Sequence, residues 1–327
     1  MKIFIIEGGI GRAVFFTALI PKLAGDEKII VMSAYPDIFE NNPHVYRSMS
    51  RGVPFSWNDV IKNSENQVMF RDPYFNDEFI KGKIHVIEAW CKEFGIDYDP
   101  AMRPKLYLPK HVKNAAKQFK KENGNFIIIQ FTCGQSPLGA NLEAPFFYQG
   151  FERIYPLEQS QELVKLIKKK YPSLSILNFS IPNEGPNLEG SFRIQADYLF
   201  YAAALQEASG FIGVNSSLTH MAAAVDAPGV VLWGGSNPDQ WGYPEHINLS
   251  GECSMDDPYC TRPYLRALGD IMGDGKPFQC SDVTCMDIAP ERVIESLETI
   301  IPEDVKKEIK KSAPEQEDKK QCQCNAS

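Results

Sequence analysis

The sequence predicts an α/β protein built from two Rossmann-like, doubly wound parallel sheets that face a central cleft. Three observations predict it. A short apolar strand, a glycine turn and a helix open the chain at residues 3–24. The same order restarts at residue 126, after the polar break Asn123-Gly124-Asn125. Residues 211–244 then read as strand, hydroxyl-rich turn, short helix, strand and glycine loop. Short apolar strands alternating with helices form parallel sheets covered on both faces. Ligands of such sheets bind beyond the carboxyl ends of the strands.

Each element follows from its residues. Ile3-Phe4-Ile5-Ile6 is an apolar run of buried-strand type, and Glu7 ends it. Gly8-Gly9-Ile10-Gly11 is a glycine turn, and residues 13–24, apolar on most faces, predict one helix. Residues 29–32 predict the second strand. Residues 36–108 carry several prolines and aromatics and yield one clear helix, near 84–94. Lys110 to Glu122 is a charged helix that Asn123-Gly124-Asn125 terminates. In the second half, strands are expected at 126–129, 174–179, 211–214 and 230–233. Helices are expected at 158–171 and 197–209, the latter with Asp197 as its cap. A last helix starts at Pro290-Glu291 and runs to about residue 301. The expected division is a first Rossmann-like domain over 1–122, a second over 123–301 and a charged tail over 302–327. Within the tail, 311–327 reads as disordered or loosely helical.

Composition narrows the function classes. The chain has 327 residues, 43% apolar and 23% charged, which suits a globular protein with a substantial core. No apolar run is long enough to span a bilayer. The apolar run after Met1 is too short for a signal peptide, so a cytoplasmic protein is expected, with attachment to the inner membrane face left open. The net charge of −8 disfavours a surface that grips nucleic acid as a whole. A local basic face remains possible on Lys110, Lys113, Lys117, Lys120 and Lys121, or on Lys165 and Lys168 to Lys170; a solvated helix face explains both. Eight cysteines without a signal peptide suggest thiols or metal ligands rather than disulfides. Cys253, Cys260, Cys280 and Cys285 lack the close pairs of a structural zinc site, which favours structural thiols. Asp256-Asp257 precedes a proline and reads as a solvated loop, so no metal and no cofactor is expected.

The most informative stretch is 211–244. The strand ends abruptly at Asn215-Ser216-Ser217, and the helix that follows is small and apolar. Such a turn presents unsatisfied N–H groups and the positive end of a helix dipole, which together bind an anion, most often a phosphate.

At this point the order of motifs resembles glycosyltransferase family 9, the group of the ADP-heptose:lipopolysaccharide heptosyltransferases, with a GT-B fold. The first match is Gly8-Gly9-Ile10-Gly11 through Leu23, with Pro21 near the helix end. The second is Arg153-Ile154-Tyr155-Pro156, similar to a basic–x–aromatic–proline signature. The third is Asn215-Ser216-Ser217-Leu218-Thr219-His220, similar to a signature that reads Asp-Ser/Thr-Gly-x-x-His. The fourth comprises Cys280 and the run from Cys285 to Val293, similar to the approach to the family's last helix. The resemblance spans most of residues 1–301 and implies a donor site for a nucleotide-diphosphate-sugar in the second half.

The resemblance implies that Arg153 faces the donor phosphates and that Glu184 binds the donor ribose. A surface salt bridge and a solvated turn are the respective alternatives. Asn215, Ser216, Ser217, Leu218, Thr219 and His220 are the candidate diphosphate site. Capping explains the hydroxyls equally, and a structural role explains His220. Thr132 and Gln135, in the loop after the strand at 126–129, complete the donor candidates; ordinary loop polarity is their alternative.

The chain also departs from the pattern. Where the family carries Gly-Asp at the start of the first helix, with the Asp read as general base, this chain has Gly11-Arg12. A guanidinium stays protonated and cannot act as a base. Glu7 and Arg12 are therefore the catalytic candidates, Glu7 as base and Arg12 as a ligand of the diphosphate or of an anionic acceptor. Asn215 and Ser217 replace Asp and Gly in the third motif. The expected activity is inverting, metal-independent transfer to a hydroxyl, with a saccharide or lipid-linked, lipopolysaccharide-type glycan as acceptor. Two alternatives stand beside it: a phage-type transferase acting on modified DNA bases, and a non-catalytic nucleotide-sugar-binding protein.

Overall fold

The computed structural model describes residues 1–50, 52, 54, 56–62, 65–133, 153–179, 187–252 and 284–306. Gln135, Glu184, Asp256, Asp257, Cys253, Cys260, Cys280 and the tail from 307 onwards lie outside the described residues.

Two parallel sheets form the frame. The first contains β1 (Lys2–Ile6), β2 (Ile29–Ser33), β3 (Val45–Met49) and β4 (Gln67–Phe70), in the order β3-β2-β1-β4. Its helices are α1 (Ile10–Phe16), α2 (Ile20–Ala24), α3 (Asp77–Ile80) and α4 (Val86–Phe94). A charged helix, α5 (Lys110–Asn123), leads to the second sheet. That sheet contains β5 (Phe126–Gln130), β6 (Ser175–Asn178), β7 (Phe192–Arg193), β8 (Phe211–Val214), β9 (Gly229–Trp233) and β10 (Ile247–Ser250). Its order is β10-β9-β8-β5-β6-β7. Its helices are α6 (Leu157–Lys170), α7 (Tyr198–Glu207), α8 (Ser217–Ala224), α9 (Pro238–Trp241) and α10 (Pro290–Ile300). All pairings are parallel, as two α/β domains with buried central strands require.

The expected single helix over 13–24 is corrected to two short ones. Pro21 has no N–H to give the carbonyl of Thr17, so the helix cannot run through. Instead Thr17 and Ala18 make tighter bonds, to Val14 O and Phe15 O, and the Thr17 hydroxyl also donates to Val14 O. The freed turn is used: Thr17 Oγ1 accepts the Lys105 N–H at 2.9 Å. Strands β3 and β4 are edge strands of mixed polarity, half exposed, and for that reason lack the apolar run that marks β1. Asp197 caps α7 by accepting the Phe200 N–H at 2.8 Å, as expected.

The core is continuous between the halves. One cluster of buried side chains runs from Phe4, Phe15 and Trp90 to Leu218, Met221 and Trp233. Residues of α1 and α8 meet in its middle. Polar contacts tie the rim: Leu106 N donates to Ala224 O, Gln240 Nε2 to Phe79 O, and Tyr198 OH to Asp37 Oδ2. Arg103 and Glu245 add an ion pair at 3.1 Å. Helix α5 packs on α7, with the Phe119 ring against Phe126 and Phe200. Among the described residues no helix is long and apolar enough to cross a membrane.

Candidate functional site

The site lies where the amino ends of α1 and α8 face each other. Strand β8 is fully buried and ends at Val214; Asn215 and Ser216 make the turn, and α8 begins at Ser217. Ser216 caps it in extended conformation, its hydroxyl accepting the Leu218 N–H at 3.3 Å. That hydroxyl also donates to the Gln130 side-chain oxygen at the end of β5. Thr219 Oγ1 donates back to Val214 O at 2.8 Å, and Asn215 Nδ2 donates to Ser236 Oγ at 2.7 Å. The last bond ties the turn to the glycine loop after β9. Of Asn215 through His220, Ser217 alone is partly exposed. The turn therefore offers the Ser217 hydroxyl and the N–H groups of the first helical turn.

His220 is buried among rings. Its Nδ1 is 3.1 Å from the Tyr243 hydroxyl, and Phe15 of α1 lies edge-on at 4.2 Å between centroids. Burial holds its pKa well below the usual histidine value, so the ring is neutral. It stitches the two halves. His85, from the first half, does the same: Nδ1 accepts the Ile87 N–H and Nε2–H donates to Gly242 O at 3.0 Å.

The approach of α1 to α8 depends on Gly11. A Cβ there would lie 3.2 Å from His220 Cδ2 and 3.8 Å from Ser217 Cα. The next residue, Arg12, turns to the first half. Its Nη1 pairs with Asp72 Oδ2 at 2.6 Å, and its guanidinium carbon lies 4.6 Å from the centre of the Tyr74 ring. The stem lies against Gly8, where φ is +96° and a Cβ would meet Arg12 Cδ at 2.7 Å. Asp72 is mostly buried and caps the turn at 73–75, with Oδ1 accepting the Tyr74 N–H at 3.0 Å. Burial raises the Tyr74 pKa against the pull of Arg12. Arg153 of the second half adds a weaker pull in the same direction as Arg12.

Arg153 is set by its neighbours. Tyr155 N donates to Phe131 O just beyond β5, and the Tyr155 hydroxyl donates to Ile288 O at 2.6 Å. Buried Thr132 sits in the same loop. Glu7 is half-buried at the end of β1. Sequence reasoning missed Asp72. The register pairs Ile5 with Phe70, so Glu7 and Asp72 both lie two residues beyond paired positions on adjacent strands. The only signal in the sequence was the cap pattern Asp72-Pro73. Among the described residues no group of three His, Cys, Asp or Glu side chains is placed to hold a metal. Cys91 and Cys285 are buried, and burial pushes the Cys91 thiol up to about 11.

Residues 199–261 match the family model of glycosyltransferase family 9 (heptosyltransferase). A search of curated proteins finds no match. Solved structures are similar over nearly the whole chain. A family 9 glycosyltransferase from Veillonella parvula matches with a TM-score of 0.62 at 14% identity, covering 92% of this chain and 96% of that one. The E. coli ADP-heptose lipopolysaccharide heptosyltransferase II matches with a TM-score of 0.52 at 14% identity, covering 93% and 99%. The iron-containing dodecameric glycosyltransferase TibC of enterotoxigenic E. coli matches at 0.57 and 13% identity, covering 94% and 76%. These likenesses show the GT-B fold; the family signature lies over the turn from Asn215 to His220 and the loop after β9. Residues 199–261 thus carry the family 9 signature, in a chain whose fold is that of these glycosyltransferases.

Proposed function

We propose that the chain transfers a sugar from a nucleoside-diphosphate-sugar to a hydroxyl of a saccharide or lipopolysaccharide-type glycan, with inversion and without a metal ion. The observation that carries this is the start of α8, placed at the carboxyl end of β8 and opposite α1. The departing diphosphate gains negative charge, and fixed N–H dipoles stabilise it without reorganising. Ser217 and Thr219 supply N–H groups, Leu218 supplies one that it shares with Ser216 Oγ, and Ser217 adds its hydroxyl. Asn215, Ser216, the Thr219 hydroxyl and His220 hold the turn in shape. Asn215 in place of Asp also removes a negative charge from beside the anion. Arg153 and Arg12 supply the positive charge that a divalent ion would otherwise bring. Thr132, Gln135 and Glu184 are assigned to the donor side with them. The acceptor class extends to this chain what the E. coli relative's name states for that enzyme.

The test is nucleotide release. ADP-, GDP-, UDP- and CMP-sugars are ranked first by the rise in melting temperature, since a bound ligand stabilises by mass action. Release is then measured with and without EDTA. Release that persists in EDTA and yields the inverted anomer supports the proposal. Binding without release points to a nucleotide-sugar-binding protein. Release that depends on duplex DNA and weakens steeply with salt points to a DNA acceptor.

A further inference from the structure

The proposed reaction needs a base for the acceptor hydroxyl, and the residue after Gly11 is an arginine. We propose that Asp72 is that base and that Arg12 holds it in check until the donor binds. The assignment rests on the transferase reading above and adds a residue to it.

Three features of the cleft carry the inference. Asp72 is the carboxylate to which Arg12 is bound, at 2.6 Å, and it lies at the carboxyl end of β4, beside β1. One of its oxygens is fixed by the Tyr74 N–H, so the other, Oδ2, is defined in direction and meets only the movable guanidinium among its described bonds. Arg12 itself follows Gly11, the residue that touches the start of α8. The guanidinium is thus bound to the Asp72 carboxylate and is carried by the residue next to the one that meets the proposed diphosphate site. A diphosphate offers it more charge and a bidentate fit. When the donor enters, Arg12 shifts to the diphosphate, and Asp72 Oδ2 is left open to the acceptor hydroxyl.

The step balances. The acceptor oxygen bonds to the anomeric carbon as the bond from that carbon to the diphosphate oxygen breaks. The electron pair leaves with the nucleoside diphosphate, and the acceptor proton passes to Asp72 Oδ2. Arg12 and the α8 start carry the new charge on the leaving group. The arrangement also delays activation of the acceptor until a donor is present.

The discriminating variant is Asp72→Asn. Its side-chain oxygen still accepts the Tyr74 N–H, so the cap and the fold are kept. Binding of ADP, GDP, UDP and CDP is measured by calorimetry, and turnover by nucleotide release at saturating donor. Turnover should fall at least ~100-fold. The preferred nucleoside diphosphate should bind about two- to fivefold tighter, because Arg12 no longer has to leave a carboxylate. Arg12→Ala should weaken the same binding. A purely structural Asp72 would lose stability and binding together, with the melting temperature lowered, and that result overturns the proposal. So does turnover within about twofold of the wild type, or a Glu7→Gln variant that loses turnover while Asp72→Asn keeps it. A wild-type chain that binds no nucleoside diphosphate overturns the transferase reading itself, and this assignment with it. Wild-type binding and turnover with an unaffected Asp72→Asn variant overturns only the assignment.

Discussion

The two helix starts that face each other across the cleft are built on opposite plans. At α8 every side chain from Asn215 to His220 except Ser217 is buried, and the turn holds no charge. Apart from Ser217, its hydroxyls and amide are spent on internal hydrogen bonds. What remains for a ligand is the Ser217 hydroxyl and backbone, which cannot move away. At α1 the turn is glycine-rich and the groups beside it are charged: Arg12 and Asp72, paired at 2.6 Å. A leaving group that must be met by a fixed field suits the first plan. A proton that must be taken at one moment suits the second.

The contrast is easiest to break at the frame of α8. A Cβ at Gly229 would lie 1.9 Å from Phe211 Cε1, inside the sheet that carries the turn. Gly229→Ala should cost about 4 kcal/mol or more in urea unfolding. Gly9, at the start of α1, has open space around it, and Gly9→Ala should cost less than about 1 kcal/mol.

Acid should come next. Burial lowers the pKa of His85 and of His246 from 6.5 to about 4, and holds that of His220 well below the usual histidine value. Between those values the unfolded chain binds more protons than the folded one, so stability falls as pH drops from 6.5 to 4 and is level above 6.5. For His85 and His246 each shift corresponds to a loss on the order of 3 kcal/mol. Urea midpoints across that range check the slope, and His246→Phe should flatten part of it.

A smaller change tests the ligand face alone. Ser217 is the first residue of α8, where proline fits a helix, and Ser216 before it is already extended. Ser217→Pro removes one N–H and the one partly exposed hydroxyl while keeping the helix. Nucleoside diphosphate binding should weaken about tenfold, or ~1.4 kcal/mol, with little change in melting temperature. The smallest effect is expected from Gly11→Ala. Its Cβ would press on His220, which is wedged between Phe15 and Tyr243. A loss of about 1 kcal/mol in stability is expected, with lower turnover as the halves are pushed apart.

The α8 side was legible in the sequence because it is local. Strand, turn and helix lie within residues 211–224, and the parallel sheets followed from repeated short apolar runs. The α1 side was not. Arg12 was visible as a departure, yet its partner is 60 residues away on an edge strand whose polarity hides it. Separation in sequence also hid the role of His220, whose ring neighbours come from α1 and from Tyr243. The helix over residues 13–24 was misjudged for a local reason, because its apolar pattern continues across the break that Pro21 imposes.

The central claim is that the diphosphate of the donor sits on the start of α8. Amide resonances mapped by NMR during titration with the preferred nucleoside diphosphate test it most directly. The largest shifts should fall on Ser217, Leu218 and Thr219, with the Arg12 side chain following. Largest shifts at the far ends of the sheets, with those three amides unmoved, would contradict it.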